Sequence, residues 1–210
     1  MNAALKICLS AMTAALFVCA CANIGKPGKK IDYYALEYDA PFPANAIDKV
    51  PFTIKISRFQ VSPLYNSNKI IYRDAPFSRN EYVYRKWRAN PGDMTTYFLM
   101  RDLQQSGLFR GVFSHENRFA GEYLLEGAVN EFFEQDHPDY WEAVLSITIA
   151  LIKANEPDVS RRVIFQKTYR ALKPCRQKNP KSLSEAMSLA MAQVSEQVIR
   201  DIVQALKIVR

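Results

Sequence analysis

The chain holds two histidines, His115 and His137, and neither stands where an imidazole usually works. His137 precedes Pro138 in a turn-forming stretch, and His115 adjoins Glu116 in a charged one. Neither belongs to an H-E-x-x-H run or lies near a cysteine pair, so the pattern offers zinc no ligand set. No serine sits in a G-x-S-x-G elbow, and nothing marks a Ser/His/Asp set, although such sets assemble in space rather than in sequence. Glu131, Glu134, Asp136 and Asp139 gather at one predicted hairpin end. Two carboxyls that flank a glycosidic bond would need such proximity, but the setting reads as a solvated loop. Gly25 to Lys30 lacks the spacing, the Ser/Thr and the preceding strand of a phosphate-binding loop. Cys175, beside Pro174, reads as an incidental loop thiol, with an intermolecular disulfide or a redox role as the sharper alternative. The expectation is a chain with no catalytic residue, no metal and no non-covalent cofactor.

Cys21 is different. Met1 to Lys6 carries one charged side chain, Lys6, and Ile7 to Val18 is an uncharged, mostly apolar run. That run suits the core of a signal peptide and is too short to span a bilayer, which takes about 20 residues. Val18-Cys19-Ala20-Cys21 then places an aliphatic residue three before a cysteine and small residues in between, which resembles the lipobox of bacterial lipoprotein precursors. The resemblance implies cleavage before Cys21, a diacylglyceryl thioether on its sulfur and an acyl chain on its amine. Several chains on one residue give stable anchoring, at about 0.8 kcal/mol per buried CH₂. Ala22 rather than Asp follows, which by the enterobacterial sorting pattern implies the outer membrane. The sequence thus divides into a signal peptide at 1–20, a lipidated tether at 21–30 (Gly/Pro-containing and basic) and a domain from Ile31 to Arg210.

This reading disposes of most of the composition. There are 28 Lys+Arg against 21 Asp+Glu, a net charge of +7, and 49% of residues are hydrophobic. That fits a packed globular chain and an anionic partner. Loss of Lys6 with the signal lowers the surplus by one. In an exported chain without a nucleic-acid motif, the surplus points away from nucleic acid, towards head groups, lipopolysaccharide or an acidic protein. Of the four cysteines, Cys8 and Cys19 leave with the signal and Cys21 carries lipid, so Cys175 is left without an intramolecular partner.

The elements that must carry any site are mostly strands. Alternation marks Asp32–Tyr38, Phe52–Phe59, Lys69–Arg73, Glu81–Trp87, Tyr123–Phe133, Tyr140–Lys153 and Arg161–Leu172. Gly127 interrupts its strand, as at a bulge or a close approach. A helix follows Asn90-Pro91, with Asn as cap and Pro at the first position. Its inner face reads as Thr96, Leu99, Met100 and Leu103, with Met94, Tyr97 and Phe98 off that stripe. A longer helix runs from Leu183 to Ile208 behind a Ser182-x-x-Glu185 capping box. Its stripe is Met187, Ala190, Met191, Val194, Val198, Ile202, Ala205 and Leu206. The expected fold is α+β: a mainly antiparallel sheet of six or seven strands with two helices packed on one face.

Several short runs, in order, resemble the ABC-type transport auxiliary lipoprotein family, the PqiC-like lipoproteins. They are Tyr33-Tyr34-Ala35-Leu36, Ile70-Ile71-Tyr72-Arg73, Tyr84-Arg85-Lys86-Trp87 before Asn90-Pro91, Ser106-Gly107-Leu108-Phe109, and Tyr123 to Gly127. Lys86 and the basic 173–181 loop depart from the pattern. The resemblance implies a non-enzymatic, lipid-anchored subunit working beside an ABC or MCE-domain lipid transport system. It would bridge or dock at the outer membrane facing the periplasm, with a homo-oligomer among the expectations. It also offers Tyr34, Tyr72, Arg73, Trp87 and Phe109 as partner-contact or motif positions. The alternative is an LptE-like assembly lipoprotein that binds lipopolysaccharide.

Overall fold

In the computed structural model, residues 28–41 and 49–208 are described. Cys21, the signal segment and most of the tether lie outside them. The spine is three long antiparallel strands: β7 (Tyr123–Asp136), β8 (Trp141–Lys153) and β9 (Val163–Pro174). Period-2 alternation decides which way each side chain faces. On β8 it sends Trp141, Ala143, Leu145, Ile147, Ile149 and Leu151 into the core. On β7 the same rule holds for Tyr123, Leu125 and Val129 and then changes parity. Val129 pairs with Ile147 but Glu131 pairs with Ser146, so Asn130 is one residue too many for the ladder. A bulge of this kind turns all following side chains over. Phe132 and Glu134 therefore face inward. Gly127 marks a close approach, because a Cβ there would stand 2.2 Å from the ring of Phe59.

The other edge of β7 is shared by three strands, all parallel to it: β2 (Val50–Ile56), β3 (Gln60–Val61) and β4 (Lys69–Arg73). The sheet forks from there. β6 (Phe109–Ser114) lies parallel to β2. On the other branch β5 (Asn80–Trp87) forms an antiparallel hairpin with β4, and β1 (Asp32–Tyr34) lies parallel to β5. The sheet is thus nine-stranded and mixed, not a mainly antiparallel sheet of six or seven strands. The sequence reading missed the parallel half because parallel pairing joins distant segments through crossovers. β3 is two residues long and β6 carries Gly111, so neither shows a clear alternation.

Both long helices begin Asn-Pro. In α1 (Pro91–Gln105) the Asn90 side chain accepts a hydrogen bond from the Gly92 N–H at 2.9 Å. Its inner face is Met94, Thr95, Phe98, Leu99, Asp102 and Leu103. Met94 and Phe98 therefore belong to the core, while Thr96 and Met100 are half-buried and Tyr97 is exposed. Thr96 is held at the rim because its hydroxyl donates to the Gly92 carbonyl and accepts from the Phe59 N–H. After a single turn, α2 (Val159–Arg162), comes α3 (Pro180–Ile208), so the described residues hold three helices rather than two. Asn179 caps α3 by accepting from the Ser182 N–H at 2.9 Å. The expected Ser182–Glu185 box is not used, because Pro180 starts the helix one turn earlier. The α3 stripe is buried as read except for half-exposed Ala205, and Leu183, Ile199 and Val203 widen it. The two long helices touch each other and share one core with the sheet.

Candidate functional site at the tip of the β4–β5 hairpin

The β4–β5 hairpin turns back at 74–79 within the sheet, and its tip is built from its own side chains. Asn80 Nδ2 donates to the Asp74 carboxylate at 3.2 Å and to Ser78 Oγ at 3.0 Å, and the Ser78 N–H donates to the Ala75 carbonyl at 3.2 Å. Pro76 takes the first central position of that turn and Phe77 the second, at φ 62°. Glycine is the usual residue there; a side chain in this region costs about 1–2 kcal/mol. Phe77 recovers nothing by packing, being fully exposed at 103%.

Below the tip lies a polar cluster that the bulge in β7 creates. The Tyr82 hydroxyl donates to Glu134 Oε1 at 2.9 Å. Tyr72 lies against the Tyr82 ring at 4.6 Å between centroids, Trp141 at 6.3 Å, and the Arg85 guanidinium over it at 5.3 Å. Glu134 is completely buried, and its Oε2 has no hydrogen-bond partner. Burial, opposed by the Tyr82 hydrogen bond, pushes its carboxyl up to about 7. Burial also raises the Tyr82 phenol, and it pushes the Cys175 thiol up to about 12, so that thiol is not a ready nucleophile. The cluster can hold a proton near neutral pH. Among the described residues no group of three or more His, Cys, Asp or Glu side chains is arranged to hold a metal ion.

Strand polarity brings two more segments to the same end of the sheet. β7 runs parallel to β4, so the turn with His137 and exposed Tyr140 lies there, their rings stacked at 4.4 Å. Glu142 pairs with Pro174, so the 174–179 loop lies there too. Lys178 ties them together: its ammonium is 2.8 Å from Asp136 Oδ1 and donates to the carbonyls of His137 and Pro138.

The positions singled out from sequence are scattered. Tyr72 adjoins the cluster, and the Arg73 carbonyl accepts from Gln135 Nε2 at 3.0 Å on the neighbouring strand. Trp87 is a core residue, 1% exposed and edge-on to Phe132 at 5.3 Å. Tyr34 pairs with it in register at the edge strand, and Phe109 pairs with Val50 on the other branch of the fork. Of the four carboxylates read as a solvated loop, Asp139 is exposed and Glu131 pairs with Arg170 at 2.9 Å near the surface; Glu134 corrects that reading. Phe77, Tyr82, Glu134 and Lys178 were not singled out as functional positions from sequence. The signal for Phe77 was present: an aromatic directly after Pro in a stretch otherwise polar and small.

Residues 34–199 match the family model described as ABC-type transport auxiliary lipoprotein component. No curated protein matches the sequence. Among solved structures, protein XCC0632 from Xanthomonas campestris superposes with a TM-score of 0.74 at 18% identity, covering 83% of this chain and 95% of that one. The hypothetical protein CT253 from Chlamydia trachomatis gives 0.53 at 9% identity, covering 75% and 98%. At these identities the likeness is one of fold.

Proposed function

The chain belongs to the family of ABC-type transport auxiliary lipoprotein components, and on that premise we propose that it is a non-enzymatic, lipid-anchored subunit of an envelope lipid transport system. The family match over 34–199 is the observation that carries this reading. The sequence supports it from outside the match. Cys21 follows a short apolar run and precedes the domain by a ten-residue tether, which suits a chain held to the outer membrane by thioether and amide lipid and facing the periplasm. Its partners in this reading are the membrane and an MCE-domain or permease protein of the transporter. The polar cluster supports a structural rather than a catalytic role: its carboxyl is enclosed, and its neighbouring thiol is held protonated.

The test has two parts. Cells fed labelled fatty acid should yield labelled wild-type protein and unlabelled Cys21→Ala, with the variant released from the membrane fraction. Wild-type protein drawn from mildly solubilised membranes should bring a transporter component with it. Label retained by Cys21→Ala overturns the anchor. Recovery of the lipoprotein alone, after crosslinking in cells, counts against the accessory role.

A further inference from the structure

We propose that the tip end of the β4–β5 hairpin rests on an anionic phospholipid bilayer, with Phe77 entering the head-group region and Arg176 and Lys181 contacting lipid phosphates. This rests on the lipid-anchor reading of Cys21 and adds which face of the domain meets the membrane.

Chain direction is the first support. β1 runs parallel to β5, with Asp32 beside Arg85 and Tyr34 beside Trp87. The chain therefore enters β1 from the side on which β5 begins, which is the tip side. The stretch from Tyr84 back through the turn to Phe77 spans at most about 23 Å, and the ten residues from Cys21 to Ile31 can reach about 35 Å. An anchor at Cys21 is long enough to let the tip touch the same membrane.

The second support is what the tip displays. Among the described residues Phe77 is the most exposed of the large apolar side chains, and it occupies a left-handed position that glycine would fill without strain. Neither packing nor backbone preference accounts for it, whereas an aromatic on a hairpin tip is the shape that enters a bilayer interface. Tyr140, an amphipathic ring of the interfacial kind, is exposed on the same end.

Charge is the third. Lys178 is committed to Asp136, but Arg176 on the same loop and Lys181 in the first turn of α3 are exposed and, among the described residues, have no acidic partner. At the opposite end of β7 Arg118 is exposed as well, but the aromatic and several other cations there have partners. There Phe119 lies against Phe113 at 5.7 Å, Arg161 is 3.4 Å from Asp158, and Lys153 is 3.1 Å from Glu156. Anionic lipid is the chemistry that complements free cations and exposed aromatics on one end of the domain.

The full-length protein, purified with its lipid and reconstituted into vesicles of phosphatidylethanolamine and phosphatidylglycerol, provides the test. Phe77→Trp and Phe119→Trp are compared with the parent, whose buried Trp87 and Trp141 set the background, using lipids brominated along the acyl chain. Quenching at position 77 at least twice that at position 119, and weakened by Arg176→Glu with Lys181→Glu, is the expected result. Position 77 no more quenched than the parent, in protein whose mass shows lipid on Cys21, overturns the proposal and leaves the anchor standing. It would then favour a protein partner for Phe77. A mass showing unmodified Cys21 overturns the anchor instead. Quenching at position 77 with vesicles in excess then still decides the tip: its presence supports the lipid contact, its absence overturns it.

Discussion

Trp87 and Phe77 occupy the two ends of one hairpin, and the chain treats them in opposite ways. At the base, Trp87 is buried against Phe132, and its backbone N–H donates to the Asn68 carbonyl at 2.7 Å. At the tip, Phe77 is in water and in a backbone conformation that works against folding. Between them Tyr82 holds the buried Glu134 carboxylate. The base shows how this family-like motif stabilises the sheet. The tip carries a strained, unpacked aromatic that stability alone would remove. Trp87, a motif aromatic, and Phe77, the aromatic proposed to meet lipid, thus differ in burial, and the sequence pattern pointed to the buried one.

Substitutions can break that contrast. Trp87→Ala should cost about 3–5 kcal/mol in urea unfolding, the range for emptying a large buried aromatic site. A loss below 1 kcal/mol would mean that Trp87 is not the structural residue it looks to be. Glu134→Gln should give the next largest effect, and only on one side of neutrality. The unfolded carboxyl titrates near its ordinary ~4.3, and the folded one is pushed up to about 7. Between those values the folded protein binds more protons than the unfolded one, so its stability falls as pH rises through that window and the deficit is complete above it. Glu134→Gln keeps an acceptor for Tyr82 and loses the slope. It should be about 1–3 kcal/mol more stable than the parent at pH 8 and little different at pH 4. Parallel stability-against-pH curves would contradict this. Phe77→Gly should give the smallest change and the most telling one, a gain of about 1 kcal/mol from relieved strain. A stability loss there would place Phe77 with Trp87 as a packing residue.

What could be read from sequence follows the range of the forces involved. The β8 strand and the α3 stripe are periodic over many residues, so both were legible, and the α3 stripe is buried as read apart from Ala205. Asn90-Pro91 announced α1 through local geometry, and the same signal at Asn179-Pro180 was passed over for the box at Ser182. The fork of the sheet was not legible, because β2, β3 and β4 meet β7 only through long-range parallel pairing. Glu134 was misplaced for one local reason: Asn130 inserts a bulge, and a single extra residue moves a carboxyl from the solvent face into the core. Of the named motif positions, Tyr72 alone adjoins the Glu134 cluster, and the others serve edge and core.

Crosslinking in intact cells, followed by mass spectrometry of everything joined to this chain, tests the central claim most directly. Peptides of an ABC permease or MCE-domain protein joined to the domain are the expected result, with a mature N-terminal peptide that begins at lipidated Cys21. A chain that begins elsewhere and crosslinks to no transport component would contradict it.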